Sequence, residues 1–379
     1  MKFMRLSKIA KSLDYVLLGV VVLILVMGFF VLQSATVNAS AKYNVNFVLR
    51  QAVWAGIGLG AFCCVLLVDY SKVSKYGVPI YALNILLLVA TLIYGVETKG
   101  SQAWIPIGSF RFQPAEVVKV LLILGLGQFL VPRVGKLNTF KDLIPVFIYV
   151  AIPLGLILLQ PDLGTGLVYV AIMFGMLLAA GASPLLLSLL IGGGIGSVSV
   201  AVFGHYAWGW WLPLKNYQLN RLIAFIDPML DPLEAGWNVI QSQIAVGSGG
   251  LWGKGWGMGS QNINNFLPEQ WTDFIFCVLA EEWGFIGAVL LLGLFFILIY
   301  RGIRIARKAK DTYGALIAVG VISMIVFHVM QNIGMTIGLM PITGIPLPLV
   351  SYGGSSLLAN MIALGLLMNV YVYHDERLF

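Results

Sequence analysis

The sequence predicts an all-α, polytopic membrane protein of about ten transmembrane helices, and three observations lead to this fold class. Hydrophobic residues make up 59% of the 379 residues and charged residues only 10%, far from the composition of a soluble globular domain. The apolar residues are gathered in runs of about 18–20 residues or longer, the length that crosses a hydrocarbon core. The Lys and Arg residues are concentrated in alternate connections between those runs.

Each apolar run predicts one membrane helix. The runs lie near residues 15–35, 48–69, 77–96, 113–132, 143–160, 163–181, 184–203, 273–300, 313–339 and 353–373. The first run has no small-residue cleavage site behind a short apolar stretch, so we interpret it as a retained helix and not as a signal peptide. The runs follow one another closely enough to predict a single integral-membrane domain over residues 1–379.

The basic residues orient this domain. Most of the 23 Lys and Arg residues fall in the segments that are cytoplasmic if the N-terminus is cytoplasmic. These are Lys2, Arg5, Lys8, Lys11, Lys72, Lys75, Arg133, Lys136, Lys141, Arg301, Arg304, Arg307, Lys308, Lys310 and Arg377. We therefore expect both termini in the cytoplasm. The net charge of +7 reflects topology and contact with anionic lipids, and we expect no nucleic-acid binding.

One long segment, about 204–272, separates the seventh and eighth predicted helices and is expected on the extracytoplasmic side. Residues 236–245 place Trp237, Ile240, Ile244 and Ala245 on one helical face, which is typical of an interfacial amphipathic helix. The run 247–259 alternates Gly with Trp, Lys and Met. We interpret it as ordered surface near a site, where glycine backbone can approach a ligand closely.

A second outer connection, residues 99–119, leads into the fourth predicted helix. Pro114 fits the first turn of a helix, which places Glu116 and Lys119 three residues apart on one face, where they can pair. The pair either neutralises itself and fixes helix packing, or it offers an oriented cation to a lipid phosphate. Trp104 is an interfacial anchor unless a sugar stacks on it.

Asp273 lies where the long segment returns to the membrane. A carboxylate at the mouth of an apolar span is costly unless it is compensated, so Asp273 is a candidate functional residue. Glu281 and Glu282 follow about 12–13 Å further along a straight helix, and we interpret them as helix-packing or network residues in preference to catalytic ones. The three His residues, at 205, 328 and 374, are scattered and show no metal-site pattern.

A third cluster, residues 332–356, breaks the helical pattern with three prolines and several glycines between the last two predicted helices. Non-helical backbone at membrane depth persists only where it is buried in protein or lines a wet cavity, so both a packed turn and a cavity wall stay open. Ser355, near the end of this cluster, is a further candidate for substrate binding.

Together these stretches resemble the SEDS family of polytopic cell-wall polymerases over nearly the whole chain. The run 332–356 is similar to the family signature, and Phe266-Leu-Pro-Glu, Thr272-Asp-Phe-Ile-Phe276 and Ala280-Glu-Glu282 are similar to its catalytic block. The variants at 338–348 and 231–242 resemble the elongation branch of the family. One position departs: members commonly have His before the Thr-Asp pair, and this chain has Trp271.

The resemblance implies a peptidoglycan glycosyltransferase in the bacterial cytoplasmic membrane. It would polymerise lipid II at the outer leaflet during cell elongation, with inversion and release of undecaprenyl diphosphate. Asp273 would be the general base, and Lys119 and Arg221 would bind the diphosphate. A divalent cation, Mg or Mn, could share that task. A class B penicillin-binding protein and other elongation proteins are the implied partners.

Two other functions stay open at this stage. A flippase for lipid-linked precursor would have a charged midplane cavity and two repeated halves, and no convincing repeat is present. A non-catalytic scaffold of the elongation machinery would carry the same motifs without activity.

Overall fold

The computed structural model describes residues 12–98, 101–108, 110–211, 216–230 and 235–374, and most of these residues are helical. The α-helices are α1 (Tyr15–Ala35), α2 (Val37–Tyr43), α3 (Phe47–Leu67), α4 (Tyr70–Val73), α5 (Gly77–Tyr94), α6 (Pro114–Leu130), α7 (Phe140–Leu159), α8 (Leu163–Ala179), α9 (Pro184–Trp208), α10 (Asn216–Ile226), α11 (Ala235–Ser248), α12 (Ser260–Ile263), α13 (Ile275–Arg307), α14 (Thr312–Thr336) and α15 (Gly354–Val372). Short 3₁₀ helices lie at Ser74–Tyr76, Val131–Arg133 and Pro228–Leu230.

Within the described residues, nine helices are long and apolar enough to cross a membrane, and α8 is a shorter apolar helix of 17 residues. These ten helices are α1, α3, α5, α6, α7, α8, α9, α13, α14 and α15, at the ten positions that the apolar runs predict. The predicted fold class, an all-α polytopic membrane protein, is therefore confirmed. Most side chains of α6, α14 and α15 are buried, so these helices form the centre of the bundle.

The connection before α6 differs from the prediction because it contains a small sheet. Strands β1 (Val96–Thr98), β2 (Ser101–Ile107) and β3 (Phe110–Phe112) pair antiparallel in the order β1-β2-β3. In this register Val96 pairs with Trp104 and Ile105 with Phe112. The hydroxyl of Ser101 donates to the carbonyl of Gln160 at 2.8 Å, so the sheet is fastened to the connection between α7 and α8.

The long segment before α13 is also more structured than a loop. It contains α10, α11 and α12, and α9 extends to Trp208, beyond the predicted start of the segment at 204. The predicted helix at 236–245 lies within α11. Val239, Ser242 and Ala245 are buried, whereas Trp237 and Ile244 are exposed, so α11 presents a partly polar face to the rest of the protein.

Helix α13 is broken near its start. Gly284 has φ 67° and ψ −163°, a conformation that is essentially restricted to glycine. A break leaves carbonyls before it and amides after it without helical partners. Here the amides of Lys254 and Gly255 donate to the carbonyls of Glu281 and Glu282, each at 3.0 Å.

The amides after the break are satisfied by the same glycine-rich run. The amide of Phe285 donates to the carbonyl of Gly250 at 2.9 Å, and that of Ile286 to the carbonyl of Leu251 at 3.2 Å. A Cβ on Gly253 would lie 2.1 Å from the carbonyl oxygen of Glu282. The run 247–259 therefore approaches backbone closely, as its composition predicts, but the backbone is that of α13 and not a ligand.

The two ends of the helix bundle carry different features. At one end, Asp14 accepts hydrogen bonds from Arg301, and its amide lies 3.3 Å from the sulfur of Met368. The start of α1 and the end of α15 are therefore on the same face of the bundle. The opposite face carries the sheet and the described parts of the long segment, residues 209–211, 216–230 and 235–274, and we call it the loop face.

Candidate active site

A cavity of about 50 Å³ lies at the loop face and brings charged side chains together among apolar helices. It is lined by residues from the starts of α6 and α8, from α14 and from the non-helical segment before α15. They are Gln113, Glu116, Lys119, Asp162, Thr165, Val168, His328, Gly344, Ile345 and Pro346. Charge at this depth is expensive unless it is compensated, so the cavity is the candidate site.

Glu116 and Lys119 pair as their spacing predicts. Pro114 occupies the first turn of α6, and one turn later the Lys119 Nζ lies 2.9 Å from the Glu116 Oε2. Both side chains are almost fully buried, with residue exposures of 4% and 2%. A buried pair of this kind needs further hydrogen bonds to offset its loss of hydration. Lys119 obtains one from α14, since its Nζ also lies 3.0 Å from the Nε2 of His328.

Three long helices begin around the cavity. The backbone amide of Gln113, at the start of α6, donates to the hydroxyl of Ser355 at 3.0 Å, and Ser355 lies in the first turn of α15. Asp162 caps α8 by accepting from the amide and the hydroxyl of Thr165 at 3.0 and 2.8 Å. The starts of α6 and α8 therefore line the cavity, and the start of α15 lies one hydrogen bond behind it. The amide ends of helices attract negative charge, which favours an anion here.

The surroundings of Asp162 shift the pKa of its carboxyl group. Burial raises its pKa above the ordinary range, while the two hydrogen bonds from Thr165 lower it and the nearby Glu116 raises it. The Nε2 of the Gln113 side chain lies 3.4 Å from the Oδ2 of Asp162, which ties the connection before α8 to the start of α6.

Asp273 lies at the edge of this cavity. Gly344 lines the cavity, and a Cβ on Gly344 would be 3.3 Å from the Oδ2 of Asp273. The Nδ2 of Asn332 donates to the carbonyls of Asp273 and Ile345 at 2.9 and 2.8 Å. The buried side chain of Asn332 on α14 thus joins two segments. Asp273 lies in the run that is similar to the family's catalytic block, and Ile345 lies in the run that is similar to the family signature.

The residues before Asp273 are held by the non-helical segment that precedes α15. The hydroxyl of Ser351 donates to the carbonyl of Thr272 at 2.6 Å, and the amide of Tyr352 to that of Trp271 at 2.9 Å. The Trp271 ring packs on Phe47, with 5.4 Å between centroids. Trp271 therefore fills an aromatic contact with α3, which is a packing role.

Glu281 and Glu282 belong to a polar network separate from the cavity, and both precede the break at Gly284. Lys254 Nζ lies 2.7 Å from Glu281, and the amide of Gln261 donates to the same carboxylate at 3.0 Å. Glu282 accepts from the hydroxyl of Ser34 and from the Nδ2 of Asn262, the latter at 3.1 Å. Both carboxylates hold the long segment onto α13 and α1.

The structure brings together only part of the predicted site. Glu116 and Lys119 line the cavity, Ser355 is one hydrogen bond behind it, and Asp273 is at its edge. Arg221 lies on α10 and Trp104 on β2, and neither is among the residues that line the cavity.

Four residues of the cavity lining were not predicted from the sequence: Gln113, Asp162, Thr165 and His328. A signal existed for two of them. Asp162 is an acidic residue three positions before a Thr at a helix start, a common capping arrangement. His328 is an ionisable residue inside a span, which by itself indicates a functional role.

The fit of a divalent cation can be tested on the donor atoms. Among the residues that the structure describes, no group of three or more His, Cys, Asp or Glu side chains is arranged to hold a metal ion. The Glu116 carboxylate beside the cavity is already bound by Lys119. These residues alone do not form a cation site.

A bundle of ten apolar helices with ionisable residues beneath one face defines a multi-pass membrane protein whose site lies near one membrane surface. The chain belongs to the FtsW/RodA/SpoVE family of cell cycle proteins, whose family model matches residues 14–376. This confirms the family inferred from the motifs.

Individual relatives match over nearly their full length. The chain is 36% identical to peptidoglycan glycosyltransferase RodA of Treponema pallidum (strain Nichols), over 94% of this chain and 97% of that protein. It is 40% identical to stage V sporulation protein E of Bacillus subtilis (strain 168), over 96% and 98%. It is 36% identical to peptidoglycan glycosyltransferase MrdB of Escherichia coli (strain K12), over 95% of each chain.

Solved structures agree with these relatives. A chain from a peptidoglycan synthase complex that coordinates polymerization and crosslinking is similar with a TM-score of 0.77 and 31% identity, covering 96% of this chain and 99% of that chain. The rod shape determining protein RodA of Thermus thermophilus is similar with a TM-score of 0.69 and 31% identity, covering 96% and 98%. The chain is therefore a membrane-embedded glycosyltransferase of this family.

Proposed function

We propose that this protein polymerises lipid II into glycan strands at the outer leaflet of the bacterial cytoplasmic membrane during cell elongation. The observation that carries the proposal is the cavity at the loop face, where Lys119 and three helix starts favour an anion and Asp273 lies at the edge. A lipid-linked donor presents such an anion, its diphosphate, at the depth of the headgroups.

The orientation follows from charge and from the packing of the helix ends. Asp14 and Met368 are in contact, so the first and last membrane helices have their terminal ends on one face. The Lys and Arg bias assigns that face to the cytoplasm. The loop face and the cavity beneath it then lie on the outer side, where polymerisation takes place.

The proposed reaction is a single displacement. The Asp273 carboxylate accepts the proton of the acceptor sugar hydroxyl as that oxygen bonds to the anomeric carbon of the donor. The bond between that carbon and the phosphate oxygen breaks, and undecaprenyl diphosphate leaves with the electron pair. Attack from the opposite face inverts the configuration. Lys119 and the helix starts stabilise the charge that develops on the diphosphate.

The role of Arg221 and of a class B penicillin-binding protein belongs to the same proposal. Arginine binds phosphate through its planar fork, and Arg221 lies on α10 in the long segment between α9 and α13. The similarity to a chain of a solved peptidoglycan synthase complex supports a transpeptidase partner that crosslinks the strands. A divalent cation that accompanies the lipid would take its ligands chiefly from phosphate oxygens.

The test is polymerisation by the purified protein, with and without its transpeptidase, supplied with lipid II. We expect Asp273→Asn to abolish glycan polymer while the protein stays folded. Asp227→Asn is the matched control, because it removes an exposed carboxylate of the same long segment. Undiminished polymer from Asp273→Asn would contradict the base assignment. Transfer of labelled lipid across vesicles without polymer would indicate a flippase, and neither activity would indicate a scaffold.

A further inference from the structure

His328 is a buried side chain on α14 that the reaction above does not use. It is 1% exposed, and its ring contacts two groups. The Nδ1 lies 2.6 Å from the carbonyl oxygen of Met324, one turn earlier in the same helix. A carbonyl oxygen only accepts, so Nδ1 carries the proton and the ring is held in one tautomer.

This tautomer determines what His328 offers to Lys119. With the proton on Nδ1, the Nε2 has a free lone pair, and Nε2 lies 3.0 Å from the Lys119 Nζ. An ammonium group has three N–H donors and accepts nothing, so Lys119 donates to the imidazole. The ring contributes no negative charge, and it therefore holds the ammonium group in place without neutralising it.

The donors of Lys119 can then be counted. One N–H is directed to the Oε2 of Glu116 at 2.9 Å and a second to His328. The third is left for a group in the cavity that all three side chains line. A flexible lysine side chain that is held at two points loses little further entropy when it binds a ligand at the third.

We propose that His328 is a positioning residue that holds the Lys119 ammonium so that its remaining N–H binds a phosphate oxygen of the lipid diphosphate. This inference rests on the proposed function, because it takes the donor's diphosphate as the ligand of the cavity. It adds a residue on α14 to the site and explains why a buried imidazole faces a cation.

The test measures binding of farnesyl diphosphate and of farnesol to the purified protein in detergent, for the parent and four variants: His328→Leu, His328→Gln, Tyr313→Phe and Lys119→Met. His328→Leu removes the acceptor for Lys119 and keeps an apolar side chain. We expect it to weaken binding of farnesyl diphosphate about tenfold, the effect of losing one hydrogen bond to a charged group, and to leave farnesol binding unchanged. His328→Gln offers an amide oxygen to Lys119 and should restore most of the diphosphate affinity.

Tyr313→Phe is the control for helix packing. The Tyr313 hydroxyl donates to the carbonyl of Leu124 at 3.2 Å, so this change removes a hydrogen bond between the same two helices, α14 and α6, without touching Lys119. It should leave both affinities unchanged. If His328→Leu does not fold, His328→Met takes its place, since thioether sulfur is a weak acceptor.

The outcomes separate this inference from the proposed function. Equal weakening of farnesyl diphosphate and farnesol by His328→Leu would show a merely structural role and overturn the inference. Unchanged diphosphate binding in His328→Leu, with a loss in Lys119→Met, would also overturn it and would leave the proposed function intact. Failure of the parent to prefer farnesyl diphosphate over farnesol would contradict the placement of the diphosphate, and both proposals would fall.

Discussion

The break in α13 provides the sharpest test of how the long segment is held on the membrane helices. Gly284→Ala adds one methyl group at a backbone conformation of φ 67° and ψ −163°. Side chains other than hydrogen are excluded there, at a cost of about 1–3 kcal/mol. The added Cβ would also lie 2.3 Å from the amide nitrogen of Gly253 and 2.6 Å from the carbonyl oxygen of Leu251. Neither backbone atom can move without displacing the glycine-rich run.

Displacement of that run breaks the hydrogen bonds that span the gap in the helix. Four of them join residues 250–255 to residues 281–286. At about 0.5–1.5 kcal/mol each, their loss costs roughly 2–6 kcal/mol. Added to the conformational strain, the total approaches the whole free energy of unfolding of a typical domain, about 5–15 kcal/mol. We therefore expect Gly284→Ala to lose most of its folded lifetime.

The assay is the half-life of folded, monodisperse protein in detergent at a fixed temperature, because unfolding of such proteins is commonly irreversible. Gly293→Ala is the matched control on the same helix, since a Cβ there would meet open space. It should be neutral or stabilising by about 0.5–1 kcal/mol. A Gly284→Ala protein with the half-life of Gly293→Ala would refute the reasoning, because it would show that the break and its four hydrogen bonds contribute little.

Three further predictions concern side chains around the two polar clusters. Lys254→Met should destabilise the protein by up to about 3 kcal/mol, because it leaves the buried Glu281 carboxylate without its cation. The double variant Lys254→Met/Glu281→Gln should recover part of this stability, measured as its half-life in thermal inactivation. Asp162→Asn should remove a loss of stability with rising pH. Burial raises the folded-state pKa of this carboxyl, so the parent loses stability as pH rises from about 4 through the folded-state pKa. The half-lives of parent and variant should differ most at the high end of that range. Asn332→Leu should reduce the polymerisation rate at least tenfold with a smaller effect on lipid II affinity, because it frees the backbone of Asp273. A displacement of about 1 Å at a reacting group can lower the rate 10²-fold. An unchanged maximal rate in Asn332→Leu would count against this prediction.

Much of the fold was predictable because membrane insertion acts on local composition. A run of apolar residues enters lipid as a helix whatever surrounds it, since every backbone polar group must find a partner within the segment. The ten positions found from the sequence therefore match the ten helices. The Glu116–Lys119 pair was predictable for a similar reason, because one turn of one helix brings the two side chains together.

Long-range contacts were not predictable in this way. Trp104 and Arg221 have the right chemistry for a substrate site, but they lie on β2 and α10, away from the cavity lining. Gly284 shows no signal in a run that reads as a continuous helix, because its conformation depends on the glycine-rich run packed against it. The face that α11 buries could not be read from its apolar residues, since Ser242 is buried and Ile244 exposed.

The sequence by itself determined that this chain is a bundle of membrane helices with Asp273, Glu116 and Lys119 near one face, because hydropathy and helical spacing are properties of short segments. Only the tertiary structure decided that α6 and α8 begin at one cavity, that α15 begins one hydrogen bond behind it and that His328 lies against Lys119 there. The reason is physical. The charge of a buried lysine is compensated by groups from any part of the chain that reach it, and which groups reach it depends on how the helices pack.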